Sequence, residues 1–119
     1  MESINGCTVI SPGSDPGFLR LGPAEMDGAY VAEIAVVPSG ELGPPVHFHP
    51  NTDEAFYIAE GEATFLLGDQ EIPLTSGGFV LVPRGVQHTV WNSGEGLLRG
   101  LILISPGDGV HEFIPVEAA

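Results

Sequence analysis

Two histidines, His47 and His49, lie two residues apart, and Glu54 follows five residues after the second. Side chains alternate faces along a β-strand, so positions i and i+2 point the same way. On one strand, the two imidazoles therefore converge. Pro50-Asn51-Thr52-Asp53 is turn chemistry, so the chain can reverse there. A strand starting at Glu54 then returns a carboxylate to the same point. Two imidazoles and one carboxylate on a strand face make a metal site with open positions. A third imidazole comes later. His88 opens a strand after Pro83-Arg84-Gly85, with Val90 and Asn92 as its same-face neighbours.

The competing reading is a core whose polar side chains satisfy one another. A single histidine on an apolar face is ordinary core material. A buried carboxylate without a partner is costly, and three histidines beside Glu54 multiply that cost. One divalent cation removes it, because all four side chains become ligands.

Strands joined by turns must position these residues. Gly (17) and Pro (11) are both abundant, yet they fall between apolar runs and form no repeat. Strand candidates are 7–10, 18–21, 30–37, 46–49, 55–59, 63–67, 70–74, 79–82, 88–92 and 97–104. Short strands at such spacing predict an antiparallel sandwich or barrel. A barrel or jelly roll leaves few open edges and can hold one small ligand or metal inside. Its expected walls are Phe56, Ile58, Val80, Val82, Val90 and residues 101–104. Residues 111–114 read as one helical turn capping the barrel before Pro115. The length of 119 residues, 43% of them apolar, suits one domain spanning 1–119.

The formal charge of −13, with three arginines and no lysine, excludes the clustered cations that nucleic acid requires. An acidic surface also disfavours anionic membranes. No apolar run approaches the ~20 residues that span a bilayer, and no signal peptide is visible at the start. Cys7 is the only cysteine, which fits a reducing cytoplasm and predicts a buried, inert thiol. A soluble, cytoplasmic protein is expected.

Residues 43–61 and 77–92 resemble the two signature motifs of the cupin superfamily. The first reads His47-x-His49, four residues, Glu54, six residues, Gly61. The second reads Gly77, five residues, Pro83-x-Gly85, two residues, His88, three residues, Asn92. The glycine usual upstream of the first motif is displaced, Gly40 lying one residue too far and Gly43 too near. The resemblance implies an all-β cupin double-stranded β-helix, a jelly-roll barrel of antiparallel strands, often a homodimer. It implies a metal held by His47, His49, Glu54 and His88. Finer wording, such as Gly43-Pro44-Pro45-Val46-His47-Phe48-His49 and Val82-Pro83-Arg84-Gly85-Val86-Gln87-His88, resembles the quercetin (flavonol) dioxygenase-like group.

Mixed nitrogen and oxygen ligation suits one divalent Fe, Ni, Mn, Co, Zn or Cu ion. The leading functional expectation is a dioxygenase acting on a small enol or phenol, with Glu54 both ligand and base. Phe56, Val80, Val82 and Val90 are the candidate substrate contacts. The alternatives are a non-redox cyclase or isomerase that uses the metal as a Lewis acid, and a metal- or ligand-binding module without turnover. Arg84 and Gln87 read as surface residues and Asn92 as a strand and turn anchor. Trp91 and Tyr57 read as outer-face packing, and His111 as exposed or terminal.

Overall fold

Apolar runs of three to eight residues, broken by turn residues, form antiparallel strands throughout the computed structural model, which describes residues 2–11, 18–21, 28–107 and 112–118. A peripheral hairpin pairs β1 (Glu2–Ile4) with β2 (Cys7–Val9). Two five-stranded sheets follow. One contains β3 (Phe18–Leu21), β4 (Val31–Val37), β11 (Leu98–Ser105), β6 (Asp53–Glu60) and β9 (Phe79–Val82), in that order across the sheet. The other runs β12 (Ile114–Pro115), β5 (His47–Phe48), β10 (His88–Asn92), β7 (Glu62–Leu67) and β8 (Gln70–Thr75). Every pairing is antiparallel. Among the described residues there is no α-helix, only a 3-10 turn at Val116–Ala118.

Period-two alternation builds the interior. On β6, Glu54, Phe56 and Ile58 are buried while Tyr57 is exposed. On β9, Val80 and Val82 are buried while Phe79 and Leu81 face solvent. Facing residues on β7 complete the core, with the Phe56 and Phe65 rings edge to face at 5.2 Å. Such a pair contributes roughly 0.5–1.5 kcal/mol beyond the area it buries. The prolines inside strands, Pro73 on β8 and Pro115 on β12, both lie on edge strands. There the missing N–H removes no bond from the middle of a sheet.

Four expectations are corrected. Residues 114–115 extend the sheet beside β5 instead of forming a helical turn, because pairing with His47 and Phe48 satisfies their backbone. β5 holds only His47 and Phe48, so His49 lies just past the strand. Cys7 is exposed, since its hairpin pairs only with itself and has no core beneath it. Alternation splits the segment 101–104: Ile104 is buried and Leu101 is exposed. His111 lies outside the described residues.

Candidate metal centre

The two sheets each bring part of one cluster. In the β12–β8 sheet, His88 stands directly opposite His47 across the β10–β5 pair. From the facing sheet, Glu54 near the start of β6 lies between its neighbours Val82 and Ile104. The segment after β5 is held by the second motif: the Gly85 N–H donates to the His49 carbonyl at 2.8 Å. Donor atoms of His47, His49, Glu54 and His88 all lie within 4.8 Å of one another, and all four residues are buried. That span is close to the ~4.2 Å between opposite ligands of an ion with bonds of about 2.1 Å.

The chemistry of the donors fits a cation. Each histidine Nδ1 sits against a backbone carbonyl: Pro45 for His47 at 2.8 Å, Glu112 for His49 at 2.7 Å, Val86 for His88 at 2.9 Å. A carbonyl only accepts, so we assign the proton to Nδ1 in all three rings. In the neutral ring, Nε2 then carries a lone pair. Glu54 Oε1 lies 3.1 Å from His88 Nε2 and 3.4 Å from His49 Nε2. Lone pairs of imidazoles and a carboxylate therefore converge in a buried space. Either extra protons or one divalent cation must compensate them, and extra protons would make the imidazoles cationic. Burial pushes the His47 imidazole below its ordinary pKa, so this ring resists the extra proton; the other two histidines add to that effect, while the Pro45 bond and Glu54 oppose it.

The backbone carbonyls aim the rings as carboxylates and carbonyls commonly aim metal-binding histidines. Residues outside both motifs complete the setting. Phe113 stacks on His47 with ring centroids 4.0 Å apart and planes 21° from parallel, and lies edge-on to His49. Glu112 supplies the carbonyl for His49, and its carboxylate accepts from the Asn51 amide at 2.9 Å. Thr52, in the turn between the ligands, is 1% exposed. The sequence reading missed Phe113, Glu112 and Thr52. An aromatic directly before β12, the strand that pairs with β5, was the available signal.

Arg84 is a surface residue in a two-point pair with Asp53, at 3.1 and 3.2 Å. Asn92 anchors strand and turn: its amide donates to Val37 and Gly96 carbonyls, and its oxygen accepts from the Gly94 N–H. Gly43 packs against β10 so closely that a Cβ would fall 1.7 Å from the Val90 carbonyl oxygen.

Beyond the cluster the packing around Phe65 is apolar. A cavity of about 70 Å³ is bounded by Phe56, Phe65, Val90 and Leu98, among others. The Phe56 ring that borders it lies 6.4 Å from the His88 ring. Phe56 and Val90 are thus on the wall of this cavity, whereas Val80 and Val82 pack in the core and do not line it.

Residues 33–112 match the family model described as Cupin domain. The chain is a cupin. A cupin protein from Bacteroides fragilis superposes with a TM-score of 0.71 at 18% identity, covering 92% of this chain and 99% of that one. This likeness is one of fold: an all-β antiparallel jelly roll. Among curated proteins, this cupin is 36% identical over 56 residues to "Oxidoreductase iacF" of Pestalotiopsis fici, covering 46% of this chain and 28% of that protein. It is 26% identical over 94 residues to "Tetracenomycin polyketide synthase protein TcmJ" of Streptomyces glaucescens, covering 79% of this chain and 62% of that protein. The chain thus spans less than two thirds of either relative. Among the described residues of this cupin, no helix is long and apolar enough to cross a membrane.

Proposed function

We propose that this cupin holds one divalent transition metal through His47, His49, Glu54 and His88 and oxygenates a small enol or phenol beside it. The observation that carries the reading is the convergence of three Nδ1-protonated imidazoles on a buried carboxylate next to an apolar cavity. When bound, the metal would supply Lewis acidity and, for a redox-active ion, electron exchange with dioxygen. The chain's own residues do the rest. The Pro45, Glu112 and Val86 carbonyls fix the rings. Glu54 is the only carboxylate of the cluster, so it is the group placed to take the hydroxyl proton of a substrate. The surrounding core keeps water from that proton and strengthens the electrostatics of the site.

One finding favours a second reading. A relative that covers 79% of this chain is named a polyketide synthase protein, which suits metal-assisted cyclisation of a phenolic or enolic chain without oxygen. Both readings need the metal and the base. They part on dioxygen: oxygen uptake with an enol or phenol substrate supports the first, and equal turnover under strict anaerobiosis supports the second. Metal analysis comes first. Protein purified without chelator should carry nearly one transition metal per chain, and its absence would remove both enzymatic readings.

The same reading takes residues 1–119 as one cytoplasmic domain that works as a homodimer. Support for pairing comes from the outer face of the β3–β9 sheet. Phe79 stands opposite Tyr57, and Tyr57 opposite Leu101, and all three are exposed. Sedimentation of wild type against Phe79→Asp tests it, with a dimer that dissociates as the expected result.

A further inference from the structure

The small cavity beside Phe56 has a larger neighbour. Four of its wall residues, Ala35, Val37, Val90 and Leu98, also line a cleft of about 270 Å³. The two spaces therefore share one wall. The cleft opens where β4 ends and β11 begins, and its outer rim is residues 41–44. Two contacts hold that rim in place. The Thr89 hydroxyl donates to the Pro44 carbonyl, and Gly43 lies against β10 with no room for a side chain. Leu42, on the same rim, is 85% exposed. A ligand in the cleft would take part of the Leu42 side chain out of water, and that burial favours binding.

The charge of the walls is as informative as their shape. No lysine, arginine or histidine is among the residues lining either cavity; the ionisable groups there are the Glu41 carboxylate at the rim and the Tyr57 phenol, and neither is cationic. Arg84 and Arg99 are engaged elsewhere, with Asp53 and Glu60. Arg20 lies on β3, opposite Glu33 in the sheet register. The Asn92 amide is already committed to two carbonyls. An anion moved into such a space loses hydration, meets no cation among the lining residues, and is repelled by the Glu41 carboxylate at the rim.

We propose that cleft and cavity together form the binding site for the apolar body of the substrate, and that the site selects neutral aromatic molecules of one or two fused rings against anionic ones. The ring body lies between Leu42 and Leu98, and the hydroxyl-bearing edge points past Phe56 toward His88 and Glu54. Leu42 is the specificity-determining residue at the mouth. This inference rests on the metal-centre reading for its chemistry, but the binding site itself does not need the metal.

The test is equilibrium dialysis of the whole protein, metal-loaded and metal-stripped, against 1-naphthol and 1-naphthyl phosphate, with metal content measured in parallel. Wild type should bind 1-naphthol at least about tenfold more tightly than the phosphate, and the stripped protein should keep that preference. Ala35→Phe, filling the shared wall, should weaken 1-naphthol about tenfold without changing metal content. Leu42→Arg sits on an exposed residue and leaves the fold alone. It should narrow the preference for 1-naphthol by about threefold or more by placing a cation at the mouth. Where Ala35→Phe fails to fold, the Leu42→Arg ratio decides. Equal affinity for the two probes, or a preference unmoved by Leu42→Arg, overturns the proposal. Wild type that carries no transition metal when purified without chelator, yet prefers 1-naphthol, sinks the metal-centre reading and leaves the binding site standing.

Discussion

The two ends of the barrel interior are made from the same strands and are chemically opposite. At one end of β6 stands Glu54, and two and four residues on stand Phe56 and Ile58. At one end of β10 stands His88, and two residues on stands Val90. Each two-residue step keeps the inward face, so a strand delivers a metal-ligand type at one end and an apolar wall at the other. The ligand end is held by hydrogen bonds from imidazoles to backbone carbonyls. The apolar end is held by ring and aliphatic packing around Phe65. The ends should therefore fail differently: the first by losing its capacity to hold an ion, the second by losing its fold.

The largest effect is expected at the ligand end. His88→Ala should lower bound metal from near one per chain to under about a tenth, read by elemental analysis, because it removes one candidate ligand and the ring that lies 3.1 Å from Glu54 Oε1. Full metal retention in this variant would end the comparison. At the apolar end, Phe65→Ala should cost about 3–5 kcal/mol in urea unfolding. The ring is fully buried and packs on Phe56. Metal bound per folded molecule should stay near one, which separates packing from ligation. Phe113→Ala should be gentler. It removes the ring stacked on His47 while leaving all four ligands, so metal affinity against a competing chelator should fall about tenfold, with Phe113→Tyr restoring it.

The metal-free protein should also report on the ligand end through pH. Burial holds His47 below its ordinary value of 6.5, so the unfolded chain binds this proton more readily than the folded one. Stability of the stripped protein should therefore rise with pH up to 6.5, be fully present above it, and fall on acidification toward the lowered folded value. Urea midpoints across that window measure the slope, and His47→Gln should flatten it.

The convergence of the candidate cluster was legible because alternation is local: His47, Glu54 and His88 each needed only a strand and a face. The walls at Phe56 and Ile58 followed from the same rule. What escaped the sequence depends on pairing at a distance. Whether Ile114 and Pro115 coil or extend is decided by the free edge of β5, sixty-odd residues earlier, and their own propensities do not record it. Phe113 and Glu112 reach the histidines only through that pairing. Cys7 looked like core material by residue type, yet the β1–β2 hairpin joins neither sheet. The displaced glycine of the first motif has a reason that spacing does not contain. Gly43 meets the Val90 carbonyl of a strand more than forty residues later, where no Cβ fits.

The smallest effect sharpens the comparison from outside both ends. Arg84 lies in the turn before His88 and pairs with Asp53, next to Glu54, so by position it touches both halves of the ligand set. Its pair is exposed, with Asp53 and Arg84 side chains 41% and 51% accessible, and exposed pairs contribute little. The hydrogen bonds from Arg84 hold the Asp53 carboxyl below its usual range. Any stabilisation is present above the ordinary value of 3.8 and is lost as pH falls through the lowered one. The turn has a second tie that a side-chain change leaves intact, the Gly85 N–H to His49 carbonyl bond. Arg84→Ala should therefore unfold in urea within error of wild type at pH 7 and keep its full metal content. A loss of metal would mean that the surface pair, and not the backbone bond, sets the position of Glu54.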